Sequence, residues 1–228
     1  MLSALAFLVL QSTPLTALGI STIILGAVTY AIDKGQPKIP PEASAILLQS
    51  GLENISAIVE ELGLKSKAIY LPKSITGEKP KALIPLDTNT NINTQNLPKR
   101  LIVKYDNTPQ SMGLLITTPG SAVARLVETK TAYSATDIES SISQVLSGTV
   151  NLADGARVKI EEDKVIVEVI NPRLQDNKMW IYESIGTPIT SIVASVVAEV
   201  TDKPITITSE RYSKGKSLIE LKVLERSM

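Results

Sequence analysis

Two acidic clusters, Glu60-Glu61 and Glu161-Glu162-Asp163, are where carboxylates gather in this chain. Such groups could divide general-acid and general-base work or hold a divalent cation. The first falls at an expected helix end and the second in an expected turn, where solvated charge is the default reading. The run "YSKGKS", Tyr212 to Ser217, ends in Gly-Lys-Ser like a phosphate-cradling loop. However, Glu210 stands where that loop needs its first glycine, and the run lies between two expected strands instead of ahead of a helix. It reads as a hairpin turn. Ser121 is the expected cap of a helix after "TTPG", and the free backbone donors there could bind an anion, as at any capped helix start. The single tryptophan, Trp180, sits with Met179, Ile181 and Tyr182, a grouping more often core or membrane edge than ligand box.

The chain has no cysteine and no histidine, which removes thiolate and imidazole chemistry together. The sequence therefore assigns no catalytic, cofactor-binding or metal-binding residue, and no enzyme is expected. Charges balance at 23 basic and 23 acidic, without a Lys/Arg cluster, so nucleic acid is not an expected partner. With no disulfide possible, folding relies on packing alone.

The elements that would position a site begin with a greasy segment. No charged side chain precedes Asp33, and the 18 residues from Leu15 to Ile32 are polar only at Thr16, Ser21, Thr22, Thr29 and Tyr30. As a helix they would be about 27 Å long, close to a hydrocarbon core of about 30 Å. A transmembrane helix is the expectation. Leu2 to Leu10 is also apolar but is interrupted at Gln11-Ser12-Thr13-Pro14, and it supplies about half a crossing. A signal peptide would carry a basic start and a cleavage site, a pilin-like subunit a basic leader, and a buried core helix a larger protein around it. Lys34 and Lys38 follow the span with no basic residue before it, which places the soluble part on the cytoplasmic side. The polar stretch Asp87 to Asn96 contains no Asn-x-Ser/Thr acceptor, in agreement.

Residues 1–36 thus read as membrane anchor and linker, and 37–228 as a soluble α+β domain, with two lobes meeting near 130. A helix is expected from Pro41, with Ala45, Leu48, Leu52, Ile55, Val59 and Leu62 on one face and Gly63 at its C-terminus. This stripe packs on the sheet or zips against a second copy. Strands follow at "AIYLP", "KALIPL", "RLIVKYD" and "MGLLITT". Thr136-Asp137-Ile138-Glu139 has the form of a capping box ahead of the apolar face Ile138, Ile142, Val145 and Leu146. Next come a hairpin that turns at Glu161 to Lys164, a Val-rich helix from Thr187-Pro188, and a closing hairpin around Ser213-Lys214-Gly215-Lys216. The architecture is a layer of helices on an antiparallel sheet.

The segments "VEELGLKSKAIYLP", "KALIPL", "GLLITTPGS" and "TPITSIVASVVAEVTDKPITIT", after a hydrophobic segment ending "GAVTYAI", resemble an uncharacterised archaeal family of membrane-anchored proteins. The resemblance implies a membrane location, with two membrane helices before the soluble domain, the first cut here to Leu2 to Leu10. It implies no activity and no functional residues. From about Gly186 to Leu224 the chain is distantly similar to the end of the 4-vinyl reductase type of hydrocarbon-binding domain, which implies a small apolar pocket. The cysteines of that family's last hairpin are absent, with Ser213 near one expected place, so no metal or thiol chemistry is carried over.

The expected function is a single-pass, membrane-anchored, non-enzymatic accessory or scaffold protein. Its partners would be membrane lipid and a protein, or further copies of itself. The alternative is a sensor or carrier that holds an apolar small molecule or lipid between the Val-rich helix and its sheet.

Overall fold

Apolar residues after Pro14 wind into helix α1 (Thr13–Gly35) in a computed structural model of the chain. Pro14 sits in its first turn, where a missing amide hydrogen removes no helical bond. The structure describes residues 13–35, 41–86, 100–105, 111–125, 134–174 and 179–225. The segment Leu2 to Leu10, most of the expected linker and the Asp87 to Asn96 stretch lie outside them. The chain divides into two compact units, Met1–Gly51 and Leu52–Met228. The linker expected from Asp33 begins later, because Asp33, Lys34 and Gly35 continue α1.

Helix α2 (Pro41–Glu61) ends where the glycine rule places its end. Gly63 takes φ +64°, its N–H donates to Glu60 O at 2.9 Å and Leu64 N–H to Val59 O at 3.0 Å. These two bonds satisfy the last carbonyls of the helix, and the buried Val59 and Leu64 join the same core. Leu52 and Val59 are buried and Ile55 packs beside them, as the stripe predicts, but Leu62, expected on the same face, is 42% exposed past the end of the helix.

The next elements are β1 (Ile69–Leu71), a short helix α3 (Lys73–Thr76), β2 (Lys81–Pro85), β3 (Ile102–Lys104) and β4 (Met112–Ile116). After them come α4 (Pro119–Ala124) and α5 (Ala135–Ser143), which runs on as a π-helical turn, Gln144–Thr149. The chain closes with β5 (Gly155–Glu161), β6 (Lys164–Ile170), α6 (Tyr182–Ile185), α7 (Pro188–Thr201), β7 (Ile205–Ser213) and β8 (Lys216–Val223). All eight strands form one sheet in the order β3-β4-β2-β1-β7-β8-β6-β5, with every pairing antiparallel. The early and late strands meet at β1 and β7.

Strand alternation divides the sheet into two faces. Tyr70, Ala82, Ile84, Leu114, Val165, Val167, Val169, Ile205, Ile219 and Leu221 point into the main core with α5 and α7. Ile69, Leu71, Leu83, Val103, Tyr105 and Leu115 form a second cluster on the opposite face, with Ile75 and Leu224 beside it.

Two caps differ from expectation. Thr118, not Ser121, caps α4: Ser121 is its N3 residue, and the two side chains satisfy each other's backbone N–H. Ser134 caps α5 by accepting from Asp137 N–H at 3.1 Å, two residues before the expected Thr136. Glu139 is drawn away to accept from Val158 N–H of β5 at 2.9 Å, so tertiary contact decides between two overlapping cap patterns.

The largest difference concerns the spanning helix. Among the described residues, the helical stretch long and apolar enough to cross a membrane is Tyr182–Thr201, α6 and α7 together, and 89% of its apolar window is buried. It is a core helix, not a lipid-facing one. At the expected position the apolar helix is shorter, Ala17–Ala31. The Val-rich stripe predicts one buried face, but every residue from Ile189 to Thr201 is buried. Serines on the second face make this possible, since Ser191 and Ser195 pack closely against Gly120 of α4.

Candidate functional site

Helix α1 exposes apolar side chains on all sides. Leu18 is 70% exposed and Leu25 68%, with Ile20, Ile23, Ile24, Val28 and Tyr30 also exposed. Burying one such side chain is worth about 1.5–3 kcal/mol, so water is a poor medium for this surface. The hydroxyls along it are turned inward. Ser21 donates to Ala17 O at 2.9 Å, Thr22 to Leu18 O at 2.8 Å and Thr29 to Leu25 O at 2.8 Å. Each bond returns a polar hydrogen to the helix's own backbone and leaves an apolar outer surface.

In the other unit, polar chemistry is concentrated around the start of α7. The Tyr70 hydroxyl donates to Ile185 O, and burial pushes the phenol well above its usual pKa, with Ser191 bonding to it and the Glu210 charge adding to the shift. Thr187 caps α7, and its Oγ1 donates to Glu210 Oε1 at 2.6 Å. Gly120 N–H donates to Ser191 Oγ at 3.3 Å, where α4 presses on α7. A Cβ at Gly120 would lie 2.0 Å from Ser191 O and 2.5 Å from Ser195 Oγ. Ser195 Oγ is the one buried side-chain polar atom without a hydrogen-bond partner among the described residues. The arrangement staples β1, α4, α7 and β7 together. Glu210 accepts from the Thr187 hydroxyl, and Ser191 is buried between Tyr70 and Gly120.

The groups singled out by type and spacing do not converge. Glu60 and Glu61 are exposed on the last turn of α2. Glu161, Glu162 and Asp163 lie at the β5–β6 turn, where Glu161 pairs with Lys159 and Asp163 with Lys222 at 3.4 Å. The hydrogen bond from Lys159 holds the Glu161 carboxyl below its usual range. Among the described residues no three carboxylates come together as a metal site. Lys214 and Gly215, at φ +49° and +76°, form the two-residue turn between β7 and β8, so Gly-Lys-Ser closes a hairpin. Trp180 is 42% exposed, while its neighbour Ile181 is in the core.

Sequence reasoning missed Glu199. This buried carboxylate on α7 accepts from Lys73 N–H at 2.9 Å and meets Lys73 Nζ at 3.3 Å, which anchors the start of α3. It lies between Ala198 and Val200 near the end of the helix, beside Asp202 and Lys203, and nothing in the local pattern marks it as buried.

Over residues 1–222 the chain matches the family described as "Domain of unknown function (DUF7982)". The chain belongs to this family. No curated protein matches it. The DUF7982 match takes in α1 as well as the sheet domain and reaches Lys222 in β8.

Proposed function

We propose that this protein is held in a membrane by α1 as a single-pass anchor, and that its α+β domain binds a protein partner at the membrane face as a non-enzymatic accessory or scaffold subunit. One observation carries the anchor: between Ala17 and Ala31 α1 exposes apolar side chains around its circumference, and the hydroxyls of Ser21, Thr22 and Thr29 are bonded to its own carbonyls, which suits a medium without hydrogen-bonding capacity. The whole helix of 23 residues is about 34 Å long, and its apolar part, Ala17–Ala31, covers about 22 Å of a hydrocarbon core of about 30 Å, so the turns on either side complete the crossing in this reading. Lys34 and Lys38 after the span support a cytoplasmic position for the domain. The resemblance to archaeal membrane-anchored proteins belongs to the same reading.

The competing reading, an apolar ligand between α7 and the sheet, has less support. Val193, Val196 and Val197 are fully buried, and a single methyl added at Gly186 would lie 2.7 Å from Ile207. Around Gly186, at the start of α7, side chains crowd the backbone and leave no room for a further methyl group.

Fractionation tests the anchor. The full-length chain is expected in the membrane pellet after gentle lysis, to resist an alkaline carbonate wash and to enter solution with detergent. Recovery in the soluble fraction would remove the reading. In intact right-side-out cells or vesicles, external protease is expected to leave the domain uncut.

A further inference from the structure

We propose that the free edge of β7 from Ser209 to Ser213 is a strand-addition site for an extended, acidic segment of a protein partner. This rests on the partner-binding reading above and names the place and chemistry of the contact. β7 pairs with β8 to its end, but it meets β1 only at Ile205 and Thr206. Among the described residues, no strand therefore lies on the other side of its last five. The chain ahead of β1 does not extend along them, because Ala68 N–H turns to donate to Ser184 O at 2.8 Å. Among the described residues, no backbone bond outside the β8 ladder reaches Thr208 to Ser213. The Ser213–Lys216 pair closes a two-residue turn and exchanges its own bonds, so alternation directs the backbone groups of Glu210 and Tyr212 outward.

The outer edge at β5 is plugged by side chains, whereas the β7 overhang, which begins just after a bulge between Ile207 and Ser209, has no such plug among the described residues. On β5, Ser143 accepts from Ala156 N–H at 3.1 Å and Glu139 from Val158 N–H, so α5 plugs two of its outward donors. β3 is only three residues long and ends in Lys104. The β7 overhang instead presents an exposed Arg211, a 66% exposed Tyr212 and Lys214 at the tip. Arg211 lies opposite Leu218 on β8, on the sheet face away from the helices, so a carboxylate in a cross-strand position on an added strand would complement it. The Glu210 carboxylate does not oppose this, since it is bound to Thr187 on the helix side. Charge also selects against a second copy: pairing this edge with itself about Arg211 would set two arginines face to face.

The test uses the full chain in detergent micelles and a short capped peptide that alternates valine with glutamate, with lysine replacing glutamate in the control. Fluorescence anisotropy is expected to show the acidic peptide binding at least about tenfold more tightly, and Arg211→Glu to reverse the preference. Backbone N-methylation of alternate peptide residues is expected to abolish binding. Amide exchange at Glu210 and Tyr212 is expected to slow when the acidic peptide is present. Equal affinity for both peptides, or unchanged exchange at those amides, overturns the site. Protection that rises with protein concentration in the absence of peptide, with a dimer mass, assigns the edge to a second copy and also overturns it. Cross-links from native membranes that place a protein partner away from β7 overturn this site but leave partner binding standing. Finding no protein partner at all removes the underlying reading.

Discussion

Gly120 is a single position where side-chain absence lets two helices touch. Its Cα lies against Ser191 O and Ser195 Oγ, and any Cβ there would overlap both. Gly120→Ala must push α4 off α7, and overpacking of this kind costs about 1–3 kcal/mol, enough to lower the thermal midpoint by several degrees. Ser195→Ala is its opposite: it deletes a buried hydroxyl that has no partner and is expected to be neutral or stabilising in the same melt. Equal losses for the two variants would remove this account of the contact. None of this was legible in the sequence. "TTPGS" reads as a turn before a helix, and nothing local says that its glycine is a docking surface for residues about 70 positions later. Tyr70 was legible only as one residue of a strand, because its ties to Ile185 and Ser191 depend on the packed fold.

At the scale of elements, most strands and the α2 terminus were legible because period-two alternation and a C-terminal glycine are local signals with local causes. Helix α5 was half legible. Its apolar face, Ile138, Ile142, Val145 and Leu146, is buried as the spacing requires, but its cap lies at Ser134 because Glu139 serves β5 instead. The π-helical turn that follows has no sequence signature, since its extra residue answers to how the chain must reach β5. A consequence follows for α5 as an edge guard. The double variant Glu139→Ala, Ser143→Ala frees the Ala156 and Val158 donors at the sheet margin. It is expected to keep its helical circular dichroism yet self-associate at concentrations where the parent protein stays dispersed, as read by light scattering on a sizing column. An unchanged mass would show that this edge is protected by something other than α5.

At the scale of the whole molecule, stability should depend on pH from both ends. The Tyr70 phenol is held protonated by burial, so its folded pKa lies above its unfolded value near 10. That contribution is complete below about pH 10 and is lost as pH rises beyond it. The Glu161 and Glu168 carboxyls are lowered by hydrogen bonds from Lys159 and Lys216, so their contribution is present above the ordinary carboxylate range and is lost as pH falls through their lowered values. Both carboxylates are in contact with water, so the acid limb is expected to be shallow and the alkaline limb steep. Thermal melts across pH check this, with Tyr70→Phe flattening the alkaline limb. The helix-on-antiparallel-sheet class was legible from the order of elements alone. The total burial of α7 was not, since its serines look like a solvent face until α4 is set against them. That burial has a consequence for biosynthesis. As it leaves the ribosome, the segment Tyr182–Thr201 has the length and greasiness that an insertion channel reads as cargo for the bilayer, although its destination is the interior of the sheet domain. Glu199 near its end, whose charge an acyl-chain interior penalises by about 2.5–3.5 kcal/mol at mid-membrane and less toward the ends, biases that sorting toward the ribosome side. A carboxylate that anchors α3 in the finished protein would thus also keep the nascent helix from being threaded into lipid.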